Sequence, residues 1–174
     1  MKRIAIDMDD VMADTSIKIV NEINNRLNKS YNYYDLFKDS PVKFEFYQDY
    51  LANNSFLKDP GFFTDLAVKD NAVEVLKSLQ NHYEIFIVSA ATEFPNSMKE
   101  KLDWMAEHFP FISWTNIVFC GHKHMIQADY LIDDHEKNLK TFSGTPILFT
   151  APHNTMLRGY ERVDNWNDVK SLFL

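Results

Sequence analysis

Arg3-Ile4-Ala5-Ile6-Asp7-Met8-Asp9-Asp10-Val11 is the stretch from which the rest of the chain can be read. Its first half is short, apolar and β-branched, and it stops abruptly in carboxylates. A central strand running into a polar loop has this pattern. Four further segments repeat it: Glu84–Ser89, Asn116–Cys120, Tyr130–Asp133 and Pro146–Thr150. Each is nearly continuous in apolar residues, which places it in a sheet covered on both faces. Helical spacing lies between them. Ala72, Val73, Val75, Leu76 and Leu79 form one stripe, with Asn71 as a candidate cap. Ser97 to His108 carries Met98, Leu102 and Met105, and the stripe runs on to Phe109. Glu136 to Phe142 reads as a short helix, and Asn165 as the cap of a last one bearing Val169 and Leu172. Strands alternating with helices predict an α/β, Rossmann-like three-layer fold with a central parallel sheet and right-handed crossovers.

One region breaks the alternation. Between Asp14 and Asn71 there is no clear strand. Ile17, Val20, Ile23, Asn24 and Leu27 suggest a helix, after which the chain turns aromatic from Tyr31 to Phe63. This is too long for a simple crossover. The expected organisation is a core of residues 1–14 and 72–174, with residues 15–71 as a small helical cap inserted after the first strand. The cap suits a lid that covers a site and stacks on a flat ligand. Most of its rings are expected to form its own small core, with two or three facing the pocket.

Composition sets the outer bounds. The 174 residues are 45% hydrophobic and 25% charged, which is the make-up of a globular chain able to bury a sizeable core. The single cysteine, Cys120, excludes an internal disulfide framework and a cysteine-based zinc cluster, and suits a reducing compartment. Met1–Asp10 reaches carboxylates after too short an apolar run for a signal peptide. No stretch approaches the roughly 20 apolar residues that span a bilayer. The expected location is the cytoplasm. A net charge of -7 argues against a nucleic-acid polymer as partner. A small phosphate ester remains compatible, since a cation and one or two lysines can offset its charge.

Asp7 and Asp9 follow the first strand, at the sheet edge where parallel α/β folds bind ligands. Two adjacent carboxylates repel, and a divalent cation relieves the repulsion. One can then attack phosphorus while the other handles the leaving-group proton. Alone, the pair is equally a solvated acidic turn. A second pair, Asp133-Asp134, ends the segment Tyr130–Asp133. Either residue can cap the helix that follows, but convergence of both pairs on one cation explains them together. Ser89 ends its strand where a hydroxyl can meet phosphate oxygens. Lys123, in the loop Gly121–His124, can neutralise phosphate charge. Lys101 is the weaker candidate for that task and reads as part of a solvated helix face. His122 and His124 make a poor zinc constellation. His153 reads equally as pocket rim or loop structure.

Asp-x-Asp-x-Val, a strand-ending Ser, a loop Lys and a late Asp-Asp together resemble the four motifs of haloacid-dehalogenase-type (HAD) phosphatases. Further segments bring the chain nearer the 5'(3')-deoxyribonucleotidases. These are Val11, Ala13 and Asp14; Phe62-Phe63; Ala72–Lys77; Lys101 with Trp104; Ala128–Asp134; Leu148–Asn154; and Trp166. The resemblance implies a HAD-like fold and an Mg²⁺-dependent phosphomonoesterase acting on nucleoside monophosphates. It implies Asp7 as nucleophile forming an aspartyl-phosphate and Asp9 as general acid and base. Ser89 and Lys123 would bind phosphate. Mg²⁺ would be held by Asp7, the Asp9 carbonyl and Asp134, with Asp133 acting through water or behind the ligands. A homodimer is left open. The sequence departs from the family's pattern at Ala90, where animal members carry a second hydroxyl. It departs again at Asp10, where many carry Gly, and at Thr15, where an aromatic meets the base. These differences bear on substrate preference. An alternative substrate is another small phosphate ester. A different class, the phospho-accepting receiver or binding module, also gathers acids, a hydroxyl and a lysine at strand ends. Receivers place a lone Asp after strand three, however, where this chain has Cys120 and Gly121.

Overall fold

In the computed structural model, which describes residues 1–38 and 40–174, β1 (Lys2–Ile6) lies inside a six-stranded parallel sheet. The other strands are β2 (Tyr83–Ser89), β3 (Ile117–Phe119), β4 (Tyr130–Asp133), β5 (Thr145–Phe149) and β6 (Glu161–Val163), in the order β3-β2-β1-β4-β5-β6. The chain winds outward from β1 through β2 to β3, then returns to β4 on the other side and winds outward again. The reversal between β1 and β4 opens a crevice beyond their carboxyl ends, the place where such sheets take ligands. Register brings Ile6 beside Ile132, so Asp7 and Asp133 emerge side by side.

Alternation along β1 divides the core. Ile4 and Ile6 face one layer with Leu76, Leu79, Trp104 and Val169, while Ala5 faces the other with Leu131, Leu139 and Leu148. The helices covering the sheet are α3 (Ala72–Leu79), α4 (Pro95–His108), α5 (Glu136–Leu139) and α6 (Trp166–Phe173), numbered after α1 (Thr15–Leu27) and α2 (Pro41–Asn53), which lie between β1 and β2. Asn165 caps α6 as expected, its side chain accepting the Asn167 and Asp168 N–H groups. Asn71 does not cap α3 through its side chain; it enters the helix in the left-handed region at φ 65°.

Four expectations need correction. β6 was not anticipated, because Glu161-Arg162-Val163 is an edge strand with one buried residue and lacks an apolar run. β3 is also an edge, and its residues are half-buried rather than covered. On α4 the buried face is Ser97, Lys101, Trp104 and Met105, whereas Leu102 is exposed. The rings of residues 15–71 do not form a core of their own. Phe46, Phe56, Phe62 and Phe63 belong to the same continuous buried cluster as Ile4 and Ile6.

Candidate active site

The turn after β1 is built from backbone bonds. Asp7 N–H donates to the Ile132 carbonyl at 2.9 Å, joining the turn to β4. The Met12 and Ala13 N–H groups donate to the Met8 carbonyl, and Asp10 N–H to that of Ala13, which closes a tight loop. Asp10 sits in the left-handed region at φ 56°, a conformation that costs glycine least. Trp166, at the start of α6, donates its indole N–H to the Val11 carbonyl at 2.8 Å and pins the loop from behind.

Asp7 is buried. Its Oδ1 accepts Met8 N–H at 2.8 Å and stands 2.6 Å from Lys123 Nζ. Lys123, equally buried, also donates to Asp133 Oδ2 at 2.7 Å. Asp133 is fully engaged: Oδ1 accepts His135 N–H, and both oxygens accept the Asn138 amide at 3.0 Å. Asp134 differs. Its Oδ2 faces His153 Nε2 at 3.2 Å, but its Oδ1 is buried without a hydrogen-bond partner. Carboxylate oxygens of Asp7, Asp133 and Asp134 lie within 4.8 Å of one another.

Asp9 is held from two sides. Thr15 Oγ1 donates to Oδ1 at 2.9 Å, and Lys101 Nζ bonds Oδ2. Lys101 also donates to Ser89 Oγ at 3.1 Å, so Ser89, fully buried at the end of β2, backs the lysine. The expectation of a solvated Lys101 is wrong: it is 2% exposed. Stripe counting from Met98 and Leu102 missed it. Counting back from Trp104 through Lys101 to Ser97 is the signal that would have found this face. Asp10 was also overlooked as part of the site. Its carboxylate accepts the Ser16 N–H at 2.8 Å and the Ser16 hydroxyl.

Five carboxyl groups (Asp7, Asp9, Asp10, Asp133 and Asp134) thus meet two ammonium groups, a surplus of three negative charges when all are ionised. Burial and this surplus act together on the acidic groups. Burial pushes Asp7 well above the usual carboxylate range, helped by Asp133, Asp134 and Asp9 and opposed by Lys123. Burial and Asp134 push Asp10 up to about 6. Burial would lower Lys123, but Asp7 and Asp133 outweigh it and hold the ammonium charged. Burial would raise Asp134, but His153, His135 and Lys123 hold it below the ordinary value. An orphaned buried oxygen inside an all-oxygen acidic cluster fits a divalent cation.

Above this floor opens a cavity of about 360 Å³, the size class of small-molecule sites. Asp7, Asp9, Asp10, Lys101 and Lys123 reach it from below, and Phe46, Tyr47, Tyr50 and Phe63 are among its apolar walls. Four rings from residues 15–71 therefore face the cavity, against an expectation of two or three. His135, Asn138 and His153 form part of the opposite side.

The profile of the family described as 5' nucleotidase, deoxy (pyrimidine), cytosolic type C, matches residues 1–174. The chain belongs to this family. Membership carries the reaction class, hydrolysis of a phosphoric monoester. A Bacillus subtilis protein named 5'(3')-deoxyribonucleotidase is 40% identical over 177 residues, covering 99% of both chains. A Staphylococcus epidermidis protein given that name provisionally is 43% identical over 172 residues, covering 99% of this chain and 96% of its own. Solved structures share the fold at low identity. A haloacid dehalogenase-like hydrolase from Streptococcus pneumoniae superposes with a TM-score of 0.59 at 14% identity, covering 100% of this chain and 99% of its own. The B. subtilis HAD-hydrolase YfnB, solved bound to magnesium, superposes at 0.60 and 12% identity, covering 99% and 98%. The parallel α/β fold expected from the strand pattern and the HAD-like fold implied by the resemblance are therefore observed. No described helix is long and apolar enough to cross a membrane.

Proposed function

We propose that the protein is an Mg²⁺-dependent phosphomonoesterase that hydrolyses nucleoside 5'(3')-monophosphates, deoxyribonucleotides foremost, through an aspartyl-phosphate on Asp7. The observation that carries this reading is the buried Asp7 carboxylate, paired through one oxygen with Lys123 and grouped with Asp134, one of whose oxygens is buried without a partner. The named family members support the substrate class, and the aromatic cavity suits a nucleobase.

Asp7 and Asp134 would hold the cation with the Asp9 carbonyl. Asp133, whose oxygens are taken by Lys123, Asn138 and His135 N–H, would act from behind them. Bound there, Mg²⁺ would screen the repulsion between nucleophile and phosphate and polarise the phosphoryl oxygens. Asp7 Oδ1 is occupied by Met8 N–H and Lys123, which leaves Oδ2 for attack on phosphorus. The bond from phosphorus to the sugar oxygen breaks as the new bond to Asp7 forms. Asp9 supplies the proton that the departing sugar oxygen takes up. In the second half Asp9 takes a proton from water, the water oxygen bonds to phosphorus, and the acyl phosphate bond breaks to return Asp7. Lys123 steadies charge on the phosphoryl group, and Ser89, whose hydroxyl accepts a bond from Lys101, would contribute to phosphate binding from behind that lysine. Residues 15–71 would serve as the cap over residues 1–14 and 72–174, and the enzyme would work in the cytoplasm.

Phosphate release from dUMP, dTMP, ribonucleotides and sugar phosphates, each with and without a chelator, tests the proposal. Deoxyribonucleotides should lead, and chelation should abolish turnover. Equal rates on sugar phosphates would overturn the nucleotide assignment, and undiminished activity under chelation would overturn the metal.

A further inference from the structure

Asp134 has two oxygens with different surroundings. Oδ1 is buried without a hydrogen-bond partner, while Oδ2 faces two imidazoles. His153 Nε2 stands 3.2 Å from Oδ2 and His135 Nε2 stands 3.6 Å from it. The two rings lie nearly parallel, 20° apart with centroids at 4.4 Å, so both present the same nitrogen to one oxygen. The three donor atoms lie within 4.8 Å of one another. His153 Nε2 is also 3.1 Å from the Asp134 carbonyl oxygen.

We propose that Asp134, His135 and His153 form a second cation site, for a borderline-soft transition ion of the Zn²⁺ class, which shares Asp134 with the acidic trio. Two imidazoles and a carboxylate are a donor set for zinc, whereas magnesium favours an all-oxygen octahedron. Zinc binds nitrogen and carboxylate oxygen at about 2.0–2.2 Å, so the donors must draw together by roughly an ångström. His135 can make that move, since it precedes the one-turn α5 and its side chain is 50% exposed. Three protein ligands leave one position open. Both histidines line the cavity, so that position faces the substrate's space.

The site is tested by binding, independently of turnover. The untagged protein in millimolar Mg²⁺ is titrated with Zn²⁺ by calorimetry, and with Co²⁺ while visible absorption is recorded. One tight Zn²⁺ site is expected, with Co²⁺ giving the intense bands of low coordination. His135→Gln and His153→Gln should each weaken Zn²⁺ about 10- to 100-fold, the usual cost of a disturbed ligand shell. His135 is half-exposed, so its replacement leaves the core untouched. His122→Gln, at a histidine outside the site, should leave the affinity unchanged. Absence of Zn²⁺ binding, wild-type affinity in either His135→Gln or His153→Gln, or loss of binding in His122→Gln would overturn the site. A protein inert toward nucleotides would still give these results, so failure of the phosphatase reading and failure of this site are separate outcomes.

Discussion

Replacing Lys101 by Met removes the ammonium that joins Asp9 to Ser89 and keeps the length of the stem. Breaking a buried ion pair normally costs about 3–5 kcal/mol, because the surviving charge is stranded. Here the survivor is not stranded. The Asp9 side chain is 31% exposed and keeps the Thr15 hydroxyl on its other oxygen. The desolvation cost of the lysine disappears with it, and the Met stem can still pack on Phe63, whose ring centroid lies 4.7 Å from Nζ. The fully buried Ser89 hydroxyl loses its bond from Nζ, so stability should fall by about 1–3 kcal/mol, a drop in Tm of roughly 2–12 °C in a chain of this length. Catalysis should suffer as well. A positioned general acid is worth about 10²–10⁴-fold, and Lys101 fixes one of the two oxygens of Asp9. A loss of about 100-fold in kcat/KM on a deoxyribonucleotide is expected, or about 2.7 kcal/mol. An aryl phosphate such as p-nitrophenyl phosphate separates the causes, since its leaving group needs no proton. If Lys101 acts through Asp9, the loss on that substrate should fall below about 10-fold, because the acid no longer contributes. Equal losses on both substrates would mean that Lys101 grips the phosphate itself, and no loss on either would refute the role of the contact.

Asp7→Asn should abolish turnover and leave the fold intact. It should also raise the melting temperature of the metal-free protein, since one member of a crowded acidic cluster becomes neutral; a lower Tm with residual turnover would contradict both halves. The cluster also sets a pH dependence. Asp7 and Asp10 titrate above their unfolded values, Asp10 at about 6, so the metal-free fold loses stability as pH rises from about 4 through those values. A bound cation needs the ionised forms, so the rise in Tm on adding saturating Mg²⁺ should be larger at pH 8 than at pH 5, and equal shifts would refute the account. Gly144→Ala should destabilise by about 1–3 kcal/mol or more in a denaturant melt. The added methyl would meet the Ala128 and Asp129 carbonyl oxygens at 2.6 Å, where the chain enters β5, and backbone there has no room to yield.

The strands were legible wherever burial on both faces forced a continuous apolar run, as in β1, β2, β4 and β5. β6 escaped because an edge strand needs no such run, and Glu161 and Arg162 are charged residues that give it no apolar signature. Asp7, Asp9, Asp133 and Asp134 stood out because carboxylates that end apolar strands have little structural reason to be there. Lys101 did not stand out. A lysine on a helix reads as solvated unless the group that compensates it is known, and Asp9 and Ser89 come from two other elements, 92 and 12 residues away.

By itself the sequence determined the continuous apolar runs and the helical patterns, the parallel α/β class, and two acidic pairs at strand ends, since each depends on local burial and spacing. Only the tertiary structure decided that β1 and β4 are neighbours, which of the four carboxylates keeps an oxygen without a partner, and that two buried lysines divide the cluster between them. Those properties belong to pairings between segments distant along the chain, and the energy that selects them is spread over the whole sheet and its covering helices.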